Sequence, residues 1–254
     1  METRLLEGKA ALVTAGTSGI GLALCRAFAQ HGAAVGIHYR SDEAGAHALA
    51  EEIGAAGGRA VAARADLRDA GDVGRMVAEV EGALGTVDVL VNNASIFLDP
   101  MPVESLPWDD VQAEFEGSLK TAFLTTQAVL PGMLERGRGT VILLLGTMLE
   151  RPARGYAAHA AGKGAMMAWG KTMAKELAPR GIAVHFLSPG MALTPSVLET
   201  VPEDERERLR KKTPNRHLPT PEELAGLAVF LASDLAMSAT ALHLNADGGL
   251  AELG

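Results

Sequence analysis

The chain has one cysteine, Cys25, so no intrachain disulfide can form. It lacks a basic excess: Lys plus Arg number 23 against 31 Asp plus Glu, and the net charge of -8 gives no electrostatic reason to hold a nucleic acid or an anionic membrane. Long apolar runs are missing too; VILLL at residues 141–145 is far too short to span a bilayer. The opening METRLLEGKAALVTAG shows no basic-then-apolar leader pattern, so the expected location is cytoplasmic. The seven histidines show no paired ligand spacing, and no metal is expected. No repeat or low-complexity linker is seen. What is present is 254 residues with 29 Gly, 48% hydrophobic and 21% charged, which excludes disorder, collagen and coiled coil and fits one globular domain over residues 1–254.

Short β-branched or apolar runs alternate with longer Ala-rich segments of helical period, the pattern of repeated βαβ units. The candidate strands are residues 10–14, 33–38, 59–64, 87–92, 140–145, 182–188 and 241–245. Leu22, Phe28 and Ala29 share one helical face, as do Val73, Val77, Val80 and Leu84, so these connections are expected to pack on a sheet. Residues 195–221 hold five prolines and the run EDERERLRKK. That run reads as a solvated helix laced with ion pairs, and its place after the sixth strand makes the region a candidate substrate lid.

Chemistry gathers where strands end. TAGTSGIG at residues 14–21 follows the first strand and opens a helix, the context in which glycines such as Gly16 and Gly21 let backbone N–H groups approach a pyrophosphate. Asp66-Leu67, VNNAS at 91–95 (with Asn92 and Ala94) and PGMALT at 189–194 follow later strands, at the carboxyl ends where open α/β sheets bind ligands. In order and spacing these segments resemble the short-chain dehydrogenase/reductase family, from Gly8 to NADGG at 245–249. The resemblance implies a single-domain α/β fold, a Rossmann-type doubly wound sheet of about seven parallel strands with helices on both faces. It also implies a nicotinamide dinucleotide and a homotetramer. By the same resemblance Ser18 and Ile20 meet the phosphates, Asp66 and Leu67 the adenine, Asn92 the ribose side, and Pro189, Gly190 and Thr194 the carboxamide. One departure is Ala15, where the family has its first glycine; a positive φ there would strain an alanine.

An NAD site would place a carboxylate at the end of the second strand, whereas a 2′-phosphate needs a cation and hydroxyls. The chain reads His38-Tyr39-Arg40-Ser41, so Arg40 and Ser41 favour NADP(H), with Asp42 one step too late to hold a ribose. HYRS, NNAS and RPARGYAAHAAGKGAM look most like pteridine reductases within the family.

The catalytic half departs from that family. Its tetrad is an Asn, a Ser (Asp in pteridine reductases), a Tyr and a Lys, the lysine lowering the tyrosine pKa and holding the ribose. Matching KGAMMAWGKTMAKELA places the lysine at Lys163, but four residues earlier stands His159, the serine position is Gly146, and the Asn position is Ser118. Tyr156, His159 and Lys163 fall on one helical face, with Tyr156 about 10 Å along the helix from Lys163, better placed to wall a substrate pocket than to donate a proton. Thr147 could replace the missing hydroxyl only if the strand has ended before it; Ser95 is the other candidate. A free imidazole titrates near pH 6.5, and the Lys163 cation is expected to favour its neutral form, giving activity on the acidic side of neutral. Cys25 reads as a small buried apolar residue. The leading expectation is an NADPH-dependent reductase of a small carbonyl or imine-like substrate with His159 as proton donor. The alternatives are an NADP-binding protein without redox turnover, or a lyase, isomerase or cyclase using the same pocket.

Overall fold

A computed structural model describes residues 4–96 and 98–253. Among these the chain alternates strand and helix: β1 (Ala10–Val13), α1 (Gly19–Gln30), β2 (Ala34–Tyr39), α2 (Glu43–Ala55), β3 (Arg59–Arg64), α3 (Ala70–Leu84), β4 (Val89–Asn92) and α4 (Trp108–Phe115). A π-helical turn, Glu116–Lys120, joins α4 to α5 (Thr121–Arg136). There follow β5 (Gly139–Leu144), α6 (Ala157–Leu177), β6 (Ile182–Pro189), α7 (Pro195–Thr200), α8 (Glu203–Lys212), α9 (Pro221–Ala232) and β7 (His243–Ala246). The strands form one parallel sheet in the order β3-β2-β1-β4-β5-β6-β7. The order reverses direction between β1 and β4, which opens the crevice used by ligands in such sheets.

Alternation along the strands divides the core in two. Val13, Ile37, Ile142 and Leu144 pack with Leu24 and Phe28 of α1 and Val229 of α9. Leu12, Leu90, Leu143 and Phe186 face the other way, onto Val77 of α3, Met133 of α5 and Met166 of α6. Phe28 and Phe186 are wholly buried, each contributing about 2–3 kcal/mol of burial. Helix starts are capped where the sequence allows. Asp42 accepts from the Gly45 N–H and Asp69 from the Asp72 N–H, and Thr220 forms a reciprocal capping box with Glu223.

All seven expected strands are found, β3 with both ends as expected and the others with ends displaced by at most two residues. The largest displacements are at β4, which starts at Val89, and β7, which starts at His243. The run 203–212 is a helix without a buried residue, carrying Glu207–Arg210 at 2.6 Å and Glu207–Lys211 at 3.5 Å.

Candidate active site

The cofactor-like turn is built on a hydrogen-bond clamp between the ends of β1, β4 and β2. Thr14 is buried; its hydroxyl donates to the Val91 carbonyl at 3.2 Å and accepts from the N–H groups of Asn93 and Ala94 at 2.8 Å. The Asn93 amide donates back to the carbonyls of Thr14 (2.9 Å) and Ala15 (3.2 Å). On the other side the Ala15 N–H donates to Nδ1 of His38 at 2.9 Å, and Gly16 N–H to the His38 carbonyl at 2.8 Å. Because Nδ1 accepts, Nε2 carries the proton and donates to the Ala65 carbonyl at 3.2 Å. Burial lowers the His38 pKa from 6.5 to about 4, partly offset by that bond, so the ring is neutral at neutral pH.

Within this clamp Ala15 adopts φ of +52°, the left-handed conformation expected to strain it. Gly21 is required by close approach, since a Cβ there would meet the Ala15 carbonyl and the Asn93 amide. Gly19, at φ +49°, lies with its missing Cβ 3.3 Å from Cγ2 of Thr194, so the turn after β1 touches the loop after β6. Gly16 backs onto Cys25 and Ile37, and burial pushes the Cys25 thiol pKa up. Ser18 stands at the N-cap of α1 beside Ile20, and its side chain makes no capping bond. The donors of that first turn suit a phosphate group.

The neighbouring positions divide between display and scaffold. Arg40 and Ser41 are exposed at the end of β2, and Asp42 is spent on capping α2. Arg64 Nε donates to the Arg40 carbonyl at 3.2 Å, adding a second cation near this corner. Asp66 accepts from Arg68 through both carboxylate oxygens, at 2.9 and 2.6 Å, and these bonds hold its carboxyl well below the usual range; Leu67 is buried in the core. The Asn92 side chain is turned inward. It accepts from Thr125 at 2.6 Å and donates to Thr126 at 3.2 Å, so it fastens β4 to α5. Ala94 holds its backbone at the clamp, Pro189 and Gly190 close β6 against Asp247, and Thr194 caps α7.

The catalytic candidates converge from α6, the end of β5 and the α4–α5 junction. Lys163 is buried, donates from Nζ to the Leu144 carbonyl at 2.9 Å, and has its pKa lowered to about 8 by burial, a shift partly opposed by Glu114. His159 lies one turn earlier, also buried, and its Nδ1 stands 3.3 and 3.2 Å from the two carboxylate oxygens of Glu114. Besides the Lys163 cation expected near His159, a buried carboxylate is in direct contact with the ring. Gly162 makes that contact possible, because a Cβ there would sit 2.9 Å from the Glu114 carbonyl.

Tyr156 is the N-cap of α6 and not a member of its face, and with His159, Glu114, Asp110 and Leu98 it lines a small cavity. Ser118 is wholly buried in the π-helical turn, with its hydroxyl 3.4 Å from that of Ser95. At Gly146 a Cβ would meet open space, so the missing serine leaves room. β5 ends at Leu144 and Thr147 begins a 3-10 turn, so Thr147 is released from strand alternation. Glu114, Asn93, Thr14 and His38 were not foreseen as site residues. The glycine at 162, inside an otherwise strong helix former, was the one available signal of a close approach. Among the described residues no group of three or more His, Cys, Asp or Glu is arranged for a metal, and no helix is long and apolar enough to cross a membrane.

A crevice at the carboxyl rim of a parallel sheet, with Lys163 and His159 one helical turn apart beside it, fits a Rossmann-fold oxidoreductase. The model for a family described as enoyl-(acyl carrier protein) reductase matches residues 14–251. The chain is 35% identical over 257 residues to L-rhamnose 1-dehydrogenase (NAD(P)(+)) of Sphingomonas sp. (strain SKA58), covering 97% of this chain and 98% of that protein. Its fold is similar to gluconate 5-dehydrogenase from Burkholderia cenocepacia J2315, solved with NADP and tartrate, at TM-score 0.90 and 33% identity, over 98% of this chain and 97% of the other. It is also similar to 3-ketoacyl-(acyl-carrier-protein) reductase from Brucella melitensis, solved with NADH, at TM-score 0.88 and 34% identity, over 97% and 99%. The chain belongs to the short-chain dehydrogenase/reductase family.

Proposed function

We propose that the protein is an NADPH-dependent reductase of a small carbonyl or imine-like substrate, in which His159 delivers the proton. The observation that carries this reading is the buried pair His159 and Lys163, one helical turn apart on α6, with Lys163 anchored on the end of β5. The turn from Gly16 to Gly21, with Ser18 and Ile20, suits the pyrophosphate, and the edge of Asp66 and Leu67 the adenine. The neighbours divide between NADH and NADP, so the choice rests on Arg40 and Ser41, exposed where a 2′-phosphate would lie, with no carboxylate free to hold a ribose diol there. When bound, the dinucleotide supplies a hydride to the electrophilic carbon.

The protein's own residues then hold the geometry and the proton. Lys163 fixes the ribose side and keeps positive charge at the rim, while His159 as imidazolium passes a proton to the oxygen or nitrogen that receives negative charge. Ser118, Ser95 and Thr147 are the hydroxyls available to hold that atom, and Tyr156, which lines the small cavity beside His159, walls the substrate side. The segment 195–221 covers the site as a lid. The assembly is a homotetramer in the cytoplasm.

The test is to mix purified protein and NADPH with a panel of ketones, quinones and pterins and follow loss of nicotinamide absorbance. Wild type is expected to turn over at least one class and to slow as pH rises, with His159→Phe reducing turnover about a hundredfold at unchanged NADPH affinity. Intact turnover in His159→Phe would leave the ring as a wall. Fluorescence titration is expected to show NADPH binding tighter than NADH, and Arg40→Asp abolishing the difference. Equal affinities in wild type would remove the NADP assignment.

A further inference from the structure

We infer that Glu114 is a positioning residue for His159, forming a buried carboxylate–imidazole dyad that fixes which ring nitrogen carries the transferable proton. The inference rests on the proposed role of His159 as proton donor. Three observations carry it. Glu114 is almost wholly buried, 1% exposed, on a helix that otherwise shows acids to solvent, so its place is a costly one for a carboxylate without a partner. Both of its oxygens lie within 3.3 Å of His159 Nδ1. The approach is built into the chain, since Gly162 brings α6 against the Glu114 backbone where a side chain would collide.

An ionised carboxylate can only accept, so Nδ1 carries hydrogen and donates to Glu114, which leaves Nε2 as the nitrogen that exchanges a proton with the pocket. In the reductive direction the imidazolium gives its Nε2 proton to the substrate oxygen as that oxygen gains the electron pair of the carbonyl π bond. The ring ends neutral, with Nδ1–H still on Glu114 and Glu114 unchanged in charge. The proton is restored from solvent before the next turnover. A tyrosine needs no such partner, because a phenol has one proton and one oxygen; an imidazole has two nitrogens, and half of its neutral forms would face the substrate wrongly. The charged and titratable groups around the ring are Glu114 and Asp110 from α4, Tyr156 at the cap of α6 and Asp99 from the loop after β4, which line one cavity with it, and Lys163 one turn further along α6, which feels the Glu114 charge. Of these, Glu114 lies against Nδ1, at 3.2 Å.

The experiment reads the ring directly in the protein without cofactor. Long-range proton–nitrogen spectra of protein carrying nitrogen-15 histidine, with His159→Phe to assign the signal, are expected to show neutral His159 in the Nδ1–H form. Glu114→Gln, which keeps the shape, is expected to lose that preference. With diacetyl as the carbonyl probe, Glu114→Gln is expected to lower kcat roughly tenfold to a hundredfold with KM and NADPH affinity unchanged, and to move the alkaline fall of activity to lower pH. Glu114→Asp is expected to recover part of the loss. A bare Nδ1 in the neutral wild-type ring would overturn the inference, as would Glu114→Gln matching wild type in both spectrum and kcat. Turnover surviving in His159→Phe would instead overturn the proton-donor reading, and the catalytic value of the dyad with it, even if the spectra show the expected tautomer.

Discussion

His38 bonds through both ring nitrogens to backbone, taking the Ala15 N–H on one side and donating to the Ala65 carbonyl on the other. Protonating it would point a second N–H at the Ala15 donor, so the turn after β1 needs the neutral ring. The unfolded chain takes up this proton below pH 6.5 whereas the folded ring stays neutral down to about 4. Stability is therefore full above 6.5 and drains as the pH falls through that window, by roughly 2 kcal/mol at pH 5. Urea unfolding at pH 7.5 and pH 5 is expected to show wild type losing that much more than His38→Asn; equal losses would show that the ring does not carry the effect. Glu114 illustrates at the same scale why some of the site escaped the sequence. It stands in WDDVQAEFEGS, where acids at helical spacing read as a wet face, and its partner lies 45 residues further on. Nothing local distinguishes it from Glu116, which is not buried.

At the scale of elements, the strands were legible because each is a short apolar run of β-branched and small residues bracketed by turn glycines, and the parallel order followed from the helical segments between them. Their ends were less so, since β4 loses Val87 and Asp88 to loop conformation even though Val87 is as buried as the strand itself. The meeting of α4 with α6 was not legible at all, because it depends on the absence of one Cβ. Gly162→Ala would place that atom 2.9 Å from the Glu114 carbonyl and 3.1 Å from its carbon, both backbone and unable to swing aside. The helices must separate by a few tenths of an ångström, at a cost of about 1–3 kcal/mol for overpacking. A lowered Tm together with a lowered kcat is the expected outcome in thermal and kinetic assays, whereas Gly164→Ala, whose Cβ meets only Leu149 at 3.7 Å, is expected to change neither. The π-helical turn was likewise invisible in advance; EGSLK carries no mark of the extra residue that buries Ser118.

At the scale of the molecule, the apolar residues of α5 divide between core and surface: Val129 is wholly buried in the core, and Leu130 packs against that core. The outward aromatic pair is Phe123, 42% exposed, tilted on Trp169 at 5.9 Å between ring centres. If this face joins copies of the chain in a tetramer, Phe123→Glu is expected to give smaller species in light scattering at micromolar concentration while leaving the monomer folded. A wild-type monomer under those conditions would remove the assembly from the account. The parallel sheet also has a consequence of another kind. Since every strand points the same way, the turn after β1, the His159–Glu114 contact and the segment after β6 all lie at one rim, and the turns from helix back to strand lie at the other. There Gly57, at φ +83°, joins α2 to the edge strand β3 with nothing within 4 Å of the position a Cβ would take. That turn is a natural splice point: a second enzyme inserted at Gly57 would hang from the far side of the molecule, leaving the working mouth unobstructed.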